Sequence, residues 1–186
     1  MIYISLLFAV IIAVADQIIK VWALDNLSVG QTRDFIILDG EKVLGLTLHF
    51  NDGAVFGSFS GMRVLLIILP IVMIAFCLWV MFKRKITKPF PILLFGAIIG
   101  GGLGNLIDRI FRGGEVVDYL DVQMFDFAIF NFADCFITVG CILMAVYLIF
   151  FDKELFPDET AQTIAGADLI DVSSVAYEDI DKDAGQ

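Results

Sequence analysis

The chain has one histidine, His49, among its 186 residues. That scarcity excludes HExxH zinc chemistry and any metal site built from several imidazoles. No metal and no cofactor are expected. Cysteine is scarce as well: Cys77, Cys135 and Cys141 are the complete set, and each lies in an apolar run. Cys135 and Cys141 stand about 9 Å apart along one expected helix axis, too far for a disulfide. They read as small packing residues. Nothing basic precedes the first apolar run, which continues past Asp16. A cleaved signal peptide wants a basic leader and a small-residue cut site, so a retained span is expected instead. There is no internal repeat and no basic-aromatic pattern of the kind that binds nucleic acid.

What the chain has in excess is apolar surface. It is 59% hydrophobic, with a mean hydropathy of +0.89, above the usual range of a soluble domain. Four runs approach the roughly 20 residues that a bilayer core needs: about 2–24, 64–82, 90–107 and 133–151. Pro70 should kink the second without ending it. The net charge of −10 is uneven. From Asp152 onward there are 10 acidic and 2 basic residues, against 12 and 10 before it. Residues 1–151 are therefore expected to form a membrane body, and 152–186 an acidic, disordered cytoplasmic tail. The short link carrying Lys83, Arg84, Lys85 and Lys88 is basic, which places it in the cytoplasm by the positive-inside rule. Both termini are then cytoplasmic, and segments 25–62 and 108–132 face outside. Val43–Phe50 has strand-like composition after an Asp39-Gly40 turn signal. The expected fold is an all-α membrane protein of four transmembrane helices, with a small β platform in the first extracytoplasmic segment.

Depth arithmetic sorts the polar residues. At 1.5 Å per residue, Asp16 lies about 21 Å along the first helix, and Asn105 about 22 Å and Asp108 about 27 Å along the third. Asp134 opens the fourth helix, and Asp118 lies in the link before it. Asp16, Lys20, Asn105, Asp108, Arg109, Asp118, Asn131 and Asp134 can thus share one layer at the outer boundary. Ionisable groups there are expensive and mark function by default. Plainer roles exist. Asp16 and Lys20, spaced i,i+4, can neutralise each other, and Asn131 can cap the fourth helix with Asp134 in its first turn. Gly100–Gly102 and Gly104 suit close helix packing, and no P-loop lysine or serine follows them. Two neighbouring carboxylates share a proton, which suits water activation and carbonyl polarisation. Spacing does not select the pair among Asp16, Asp108, Asp118, Asp121, Asp126 and Asp134.

Five ordered blocks carry a resemblance. They are Asp16-Gln17-Ile18-Ile19-Lys20, Asn51-Asp52-Gly53-Ala54-Val55-Phe56-Gly57, Gly101 through Arg109, Val116-Val117-Asp118-Tyr119, and Phe130-Asn131-Phe132-Ala133-Asp134. Together they resemble prolipoprotein signal peptidase (signal peptidase II), a bacterial family of aspartic endopeptidases in the inner membrane. The resemblance implies that Asp118 and Asp134 are catalytic. It implies that Asp16 and Lys20 support the site, that Asn51, Gly53, Asn105, Arg109 and Asn131 orient substrate or the acids, and that Asp108 is structural, tied to Arg109 or nearby backbone. The implied substrate is a prolipoprotein cut before its diacylglyceryl-modified cysteine, with membrane lipid as the other partner. Phe56 and Phe59 would clamp the precursor, so that Phe56→Ala weakens cleavage without unfolding. The link between Asp118 and Asp134 lacks a tryptophan that such links often carry, and the acidic tail extends beyond the family's compact body.

Competing readings are a small polytopic carrier, a presenilin-type protease and a non-catalytic assembly factor. A carrier prefers acids at the midplane and repeated halves. Gly102-Leu103-Gly104 is followed by Asn105 where the presenilin block needs an acid. An assembly factor would use the polar layer to bind a partner.

Overall fold

The structure, a computed structural model, describes residues 1–53, 62–83, 86 and 88–151. Phe56, Phe59, Arg84, Lys85 and the tail from Asp152 lie outside the described residues. Among those described, the order is α1 (Ile2–Asn26), β1 (Thr32–Leu38), β2 (Glu41–Asn51), α2 (Arg63–Lys83), α3 (Pro89–Phe111), β3 (Val116–Val122) and α4 (Phe132–Phe150). All four helices are long and apolar enough to cross a membrane. α2 runs through Pro70 without ending. One compact unit, Met1–Ala145, holds every group discussed below; Val146–Phe151 are the described part of a second.

The centre of the first unit is α3, because its glycines let three helices approach its backbone. A Cβ on Gly100 would sit 2.7 Å from the Ala9 carbonyl oxygen of α1. One on Gly101 would sit 2.5 Å from the Ala133 carbonyl oxygen of α4, and one on Gly102 would meet Met73 of α2 at 2.8 Å. Without a hydrophobic drive between helices in lipid, such close contact supplies the attraction. The buried Ser5 hydroxyl of α1 adds a hydrogen bond to the Ile92 carbonyl at 2.7 Å.

The sheet is antiparallel in the order β1-β2-β3. Asp39 and Gly40 both take positive φ, 50° and 85°, the backbone that a tight two-residue hairpin requires. The platform expected in the first segment is there, and it takes a third strand from the second. Leu46, Leu48, Val117 and Tyr119 pack on Ala23 and Leu27 at the end of α1, which fixes the sheet against the helices. α3 continues past Ile107, the expected end of the third span, to Phe111. Arg109 lies in its last turn, where a cation meets the negative end of the helix dipole. Gly113 and Gly114, with φ of 72° and 101°, then turn the chain into β3.

Candidate active site

The site is built at the end where α1 finishes and α4 begins. Phe130 bridges Leu120 of β3, which delivers Asn131 to the N-terminus of α4. There Asn131 and Asp134 form a reciprocal cap. The Asp134 N–H donates to Asn131 Oδ1 at 3.0 Å, and the Asn131 N–H donates to Asp134 Oδ2 at 3.1 Å. This is the capping-box arrangement with aspartate as its acid. The Phe132 N–H, another of the first turn's free donors, goes to the Tyr119 hydroxyl at 3.2 Å, and the Ala133 N–H to Asp16 Oδ1 at 3.1 Å.

The cap leaves side-chain atoms facing inward, and these join the two acids. Asn131 Nδ2 donates to Asp118 Oδ1 at 2.6 Å and to Asn105 Oδ1 at 3.0 Å. Asn105 Nδ2 donates to Asp134 Oδ1 at 2.7 Å. Asn51 Nδ2 closes the other side of Asp118, on Oδ2, at 2.9 Å. Asp118 and Asp134 are therefore joined through Asn131, whose side chain bonds Asp118 and whose backbone N–H bonds Asp134, with Asn105 bridging Asn131 to Asp134. Asp118, on β3, is 1% exposed, whereas Asp134 is half-buried. Burial, then the charge of Asp134, pushes the Asp118 carboxyl up from 3.8 to about 7, against the lowering effect of Asn51, Asn131 and Lys20. Near neutral pH part of the Asp118 carboxyls therefore still carry a proton. Such a pair carries both an acid and a base.

Behind the acids lies a buried charged knot. Lys20 is fully buried, and its ammonium meets Asp16 at 2.8 Å, Asp108 at 2.9 Å and Asn105 Oδ1 at 2.9 Å. Those three acceptors match the three donors of an ammonium. Asp108 also accepts from Gln17 Nε2 at 3.0 Å, from the Val117 N–H at 3.1 Å and from Arg112 Nε at 3.1 Å. Its backbone tie is as expected, but the guanidinium that reaches it is Arg112, one turn along the helix, and not Arg109. Arg109 instead donates through Nη2 to the Gly53 carbonyl at 3.0 Å, and its charge lies within electrostatic reach of Asp134 and Asp118. Gly53 is tied a second time, its N–H donating to Asn51 Oδ1 at 3.0 Å.

The structure thus brings together Asp16, Lys20, Asn51, Gly53, Asn105, Asp108, Arg109, Asp118, Asn131 and Asp134; Phe56 lies outside the described residues. It does not bring Asp121 to the group: that acid accepts from Thr47 at 2.8 Å and Thr32 at 3.4 Å within the sheet. Gln17, Arg112 and Tyr119 were not singled out from the sequence. Arg112 had a legible signal, its i,i+4 spacing from Asp108, hidden by ending the helix too early. Among the described residues, no group of three or more His, Cys, Asp or Glu side chains is placed to hold a metal.

Fold and site define a multi-pass membrane protein with a paired-carboxylate centre at one end of its helices. The family described as signal peptidase (SPase) II matches residues 8–150. A lipoprotein signal peptidase of Lactococcus lactis subsp. lactis (strain IL1403) is 39% identical over 150 residues, covering 81% of this chain and 95% of that one. Another, from Halothermothrix orenii, is 38% identical over 148 residues, covering 80% and 94%. A bacterial membrane enzyme solved in meso at 2.3 Å resolution superposes with a TM-score of 0.70 at 32% identity, over 78% of this chain and 87% of that one. A second, at 1.9 Å, gives 0.69 at 32% identity, over 79% and 93%. The chain belongs to the signal peptidase II family and is a membrane peptidase of that type.

Proposed function

We propose that this peptidase removes signal peptides from bacterial prolipoproteins by an aspartic mechanism, with Asp118 and Asp134 as the catalytic pair. The observation that carries the reading is the joining of the two carboxylates through Asn131 and Asn105, with the Asp118 carboxyl pushed up to about 7. Asp134, the more accessible acid, takes a proton from water as the water attacks the scissile carbonyl. Asp118 donates its proton to the carbonyl oxygen. The C–N bond of the tetrahedral species then breaks as Asp134 passes its proton to the leaving nitrogen, which becomes the new amino terminus, and a hydroxyl of that species returns a proton to Asp118. No metal, cofactor or covalent intermediate is needed.

The bond cut is the one before the diacylglyceryl-modified cysteine. The cysteine's lipid chains hold that bond at the outer boundary of the bilayer, the depth at which the site residues converge, and anchoring both partners in one plane supplies positioning before chemistry. This reading puts both termini and the 152–186 tail in the cytoplasm and the acids at the outer face of the inner membrane. Phe56, beyond the Asn51–Gly53 tether, would contact the precursor. Asn105, Arg109 and Asn131 orient the acids and the substrate backbone, and Asp16, Lys20 and Asp108 hold the helices that carry them.

The test is cleavage of a synthetic diacylated precursor peptide by purified protein. Asp118→Asn and Asp134→Asn should each lower the rate by at least about a hundredfold, the scale of acid–base catalysis. Asp121→Asn, which touches only the sheet threonines, should cut normally. Loss in that control with activity retained in the other two would reassign the pair. A carrier or scaffold would give no cut product at all.

A further inference from the structure

The family reading leaves the chain's one histidine without a task. His49 is exposed and stands directly opposite Asp118 in the β2–β3 pairing. That position depends on a register shift between Leu46 and His49. Before the shift, β2 pairs Leu46 with Leu120; after it, His49 pairs with Asp118 and Asn51 with Val116. Continued without the shift, the ladder would set Leu48 against Asp118 and turn His49 to the other face, because a one-residue slip inverts a strand. Residues two apart share a face, so His49 lies on the face of Asn51, whose amide reaches Asp118 Oδ2 at 2.9 Å. Cross-strand partners bring their Cβ atoms to about 5 Å.

We propose that His49 is a positioning residue for the carboxylate pair: as an imidazolium, it opposes uptake of a second proton by the pair from across the strand. The inference rests on Asp118 and Asp134 being the catalytic pair. Other charges surround the same locus: Asp134 from α4, Asp16 and Lys20 from α1, and Asp108 and Arg109 from α3. Histidine is the side chain whose charge ordinarily changes between pH 5 and 8, which makes the pH profile the readout.

The experiment is the pH profile of kcat/KM on the diacylated peptide for the full chain and for His49→Gln and His49→Lys, with Asp118→Asn and Asp134→Asn alongside. A cation about 6 Å away in a water-like dielectric moves a carboxylate by about half a pH unit. His49→Gln should move the acid limb up by about that much and leave the alkaline limb in place. His49→Lys, charged throughout, should keep the acid limb and move the alkaline limb down. Both shifts should shrink at about 1 M salt, where the screening length is about 3 Å. Superimposable profiles, a uniform loss without a shift, or the same shift in both variants would overturn the proposal. If Asp118→Asn and Asp134→Asn still cut, the catalytic pair itself is misassigned, a failure distinct from that of His49.

Discussion

Burying Asp118 has a thermodynamic consequence that can be measured without substrate. Its carboxyl rises from 3.8 to about 7 on folding, about three units, or about 4 kcal/mol as an upper limit. Between about pH 4 and 7 the native state therefore binds more protons here than the unfolded chain. Stability must fall as pH rises through that window, because the folded state is made to keep, and then lose, a proton that the unfolded chain gave up earlier. Asp118→Asn removes the titration. It also sets an amide against the donors Asn51 and Asn131, so one hydrogen bond of about 1 kcal/mol is lost. The variant should be slightly less stable than the parent near pH 4 and more stable from about pH 5 upward, with the two curves crossing at about pH 4.5. Unfolding in detergent micelles at pH 4, 5, 6, 7 and 8 measures this directly. Parallel curves across the window, or a parent that gains on the variant toward pH 8, would refute the reasoning.

Two further substitutions probe the support behind the acids. Lys20→Met leaves Asp16 and Asp108 buried without their shared cation, and should cost about 3–5 kcal/mol, seen as a lowered melting temperature and poor recovery of folded protein. Gly104→Ala would place a Cβ 2.5 Å from Asp16 Oδ2. The clash pushes on the same carboxylate that receives the Ala133 N–H, so a loss of about 1–3 kcal/mol and slower peptide cleavage are expected together.

The helices were legible because their apolar runs are long and their interruptions few. The convergence of polar groups was legible too, since rise per residue alone places Asp16, Asn105 and Asp108 at neighbouring depths. The third strand was not. Val116–Val122 alternates poorly, and its pairing with β2 is a contact between distant segments that no local pattern announces. Asp118 was therefore read as a link residue that folds down, when its pairing with β2 fixes it. The knot around Asp108 was half legible. Its backbone tie followed from position, whereas its guanidinium partner depended on how far α3 extends, and terminal turns are the least certain part of any helix.

Asn131 shows why spacing alone could not choose between a cap and a reactive centre for the N-x-x-D block. The two are one arrangement. Oδ2 of Asp134 closes the cap on the Asn131 N–H, which fixes the carboxyl's orientation and leaves Oδ1 to Asn105. Asn131 spends its carbonyl oxygen on the cap and its amide on Asp118. A helix start is a rigid place to hold a side chain, because its first-turn donors are already committed. Building the centre there lets the start of α4 orient Asp134 while the sheet orients Asp118, with Asn105 of α3 and Asn131 tying the two supports together.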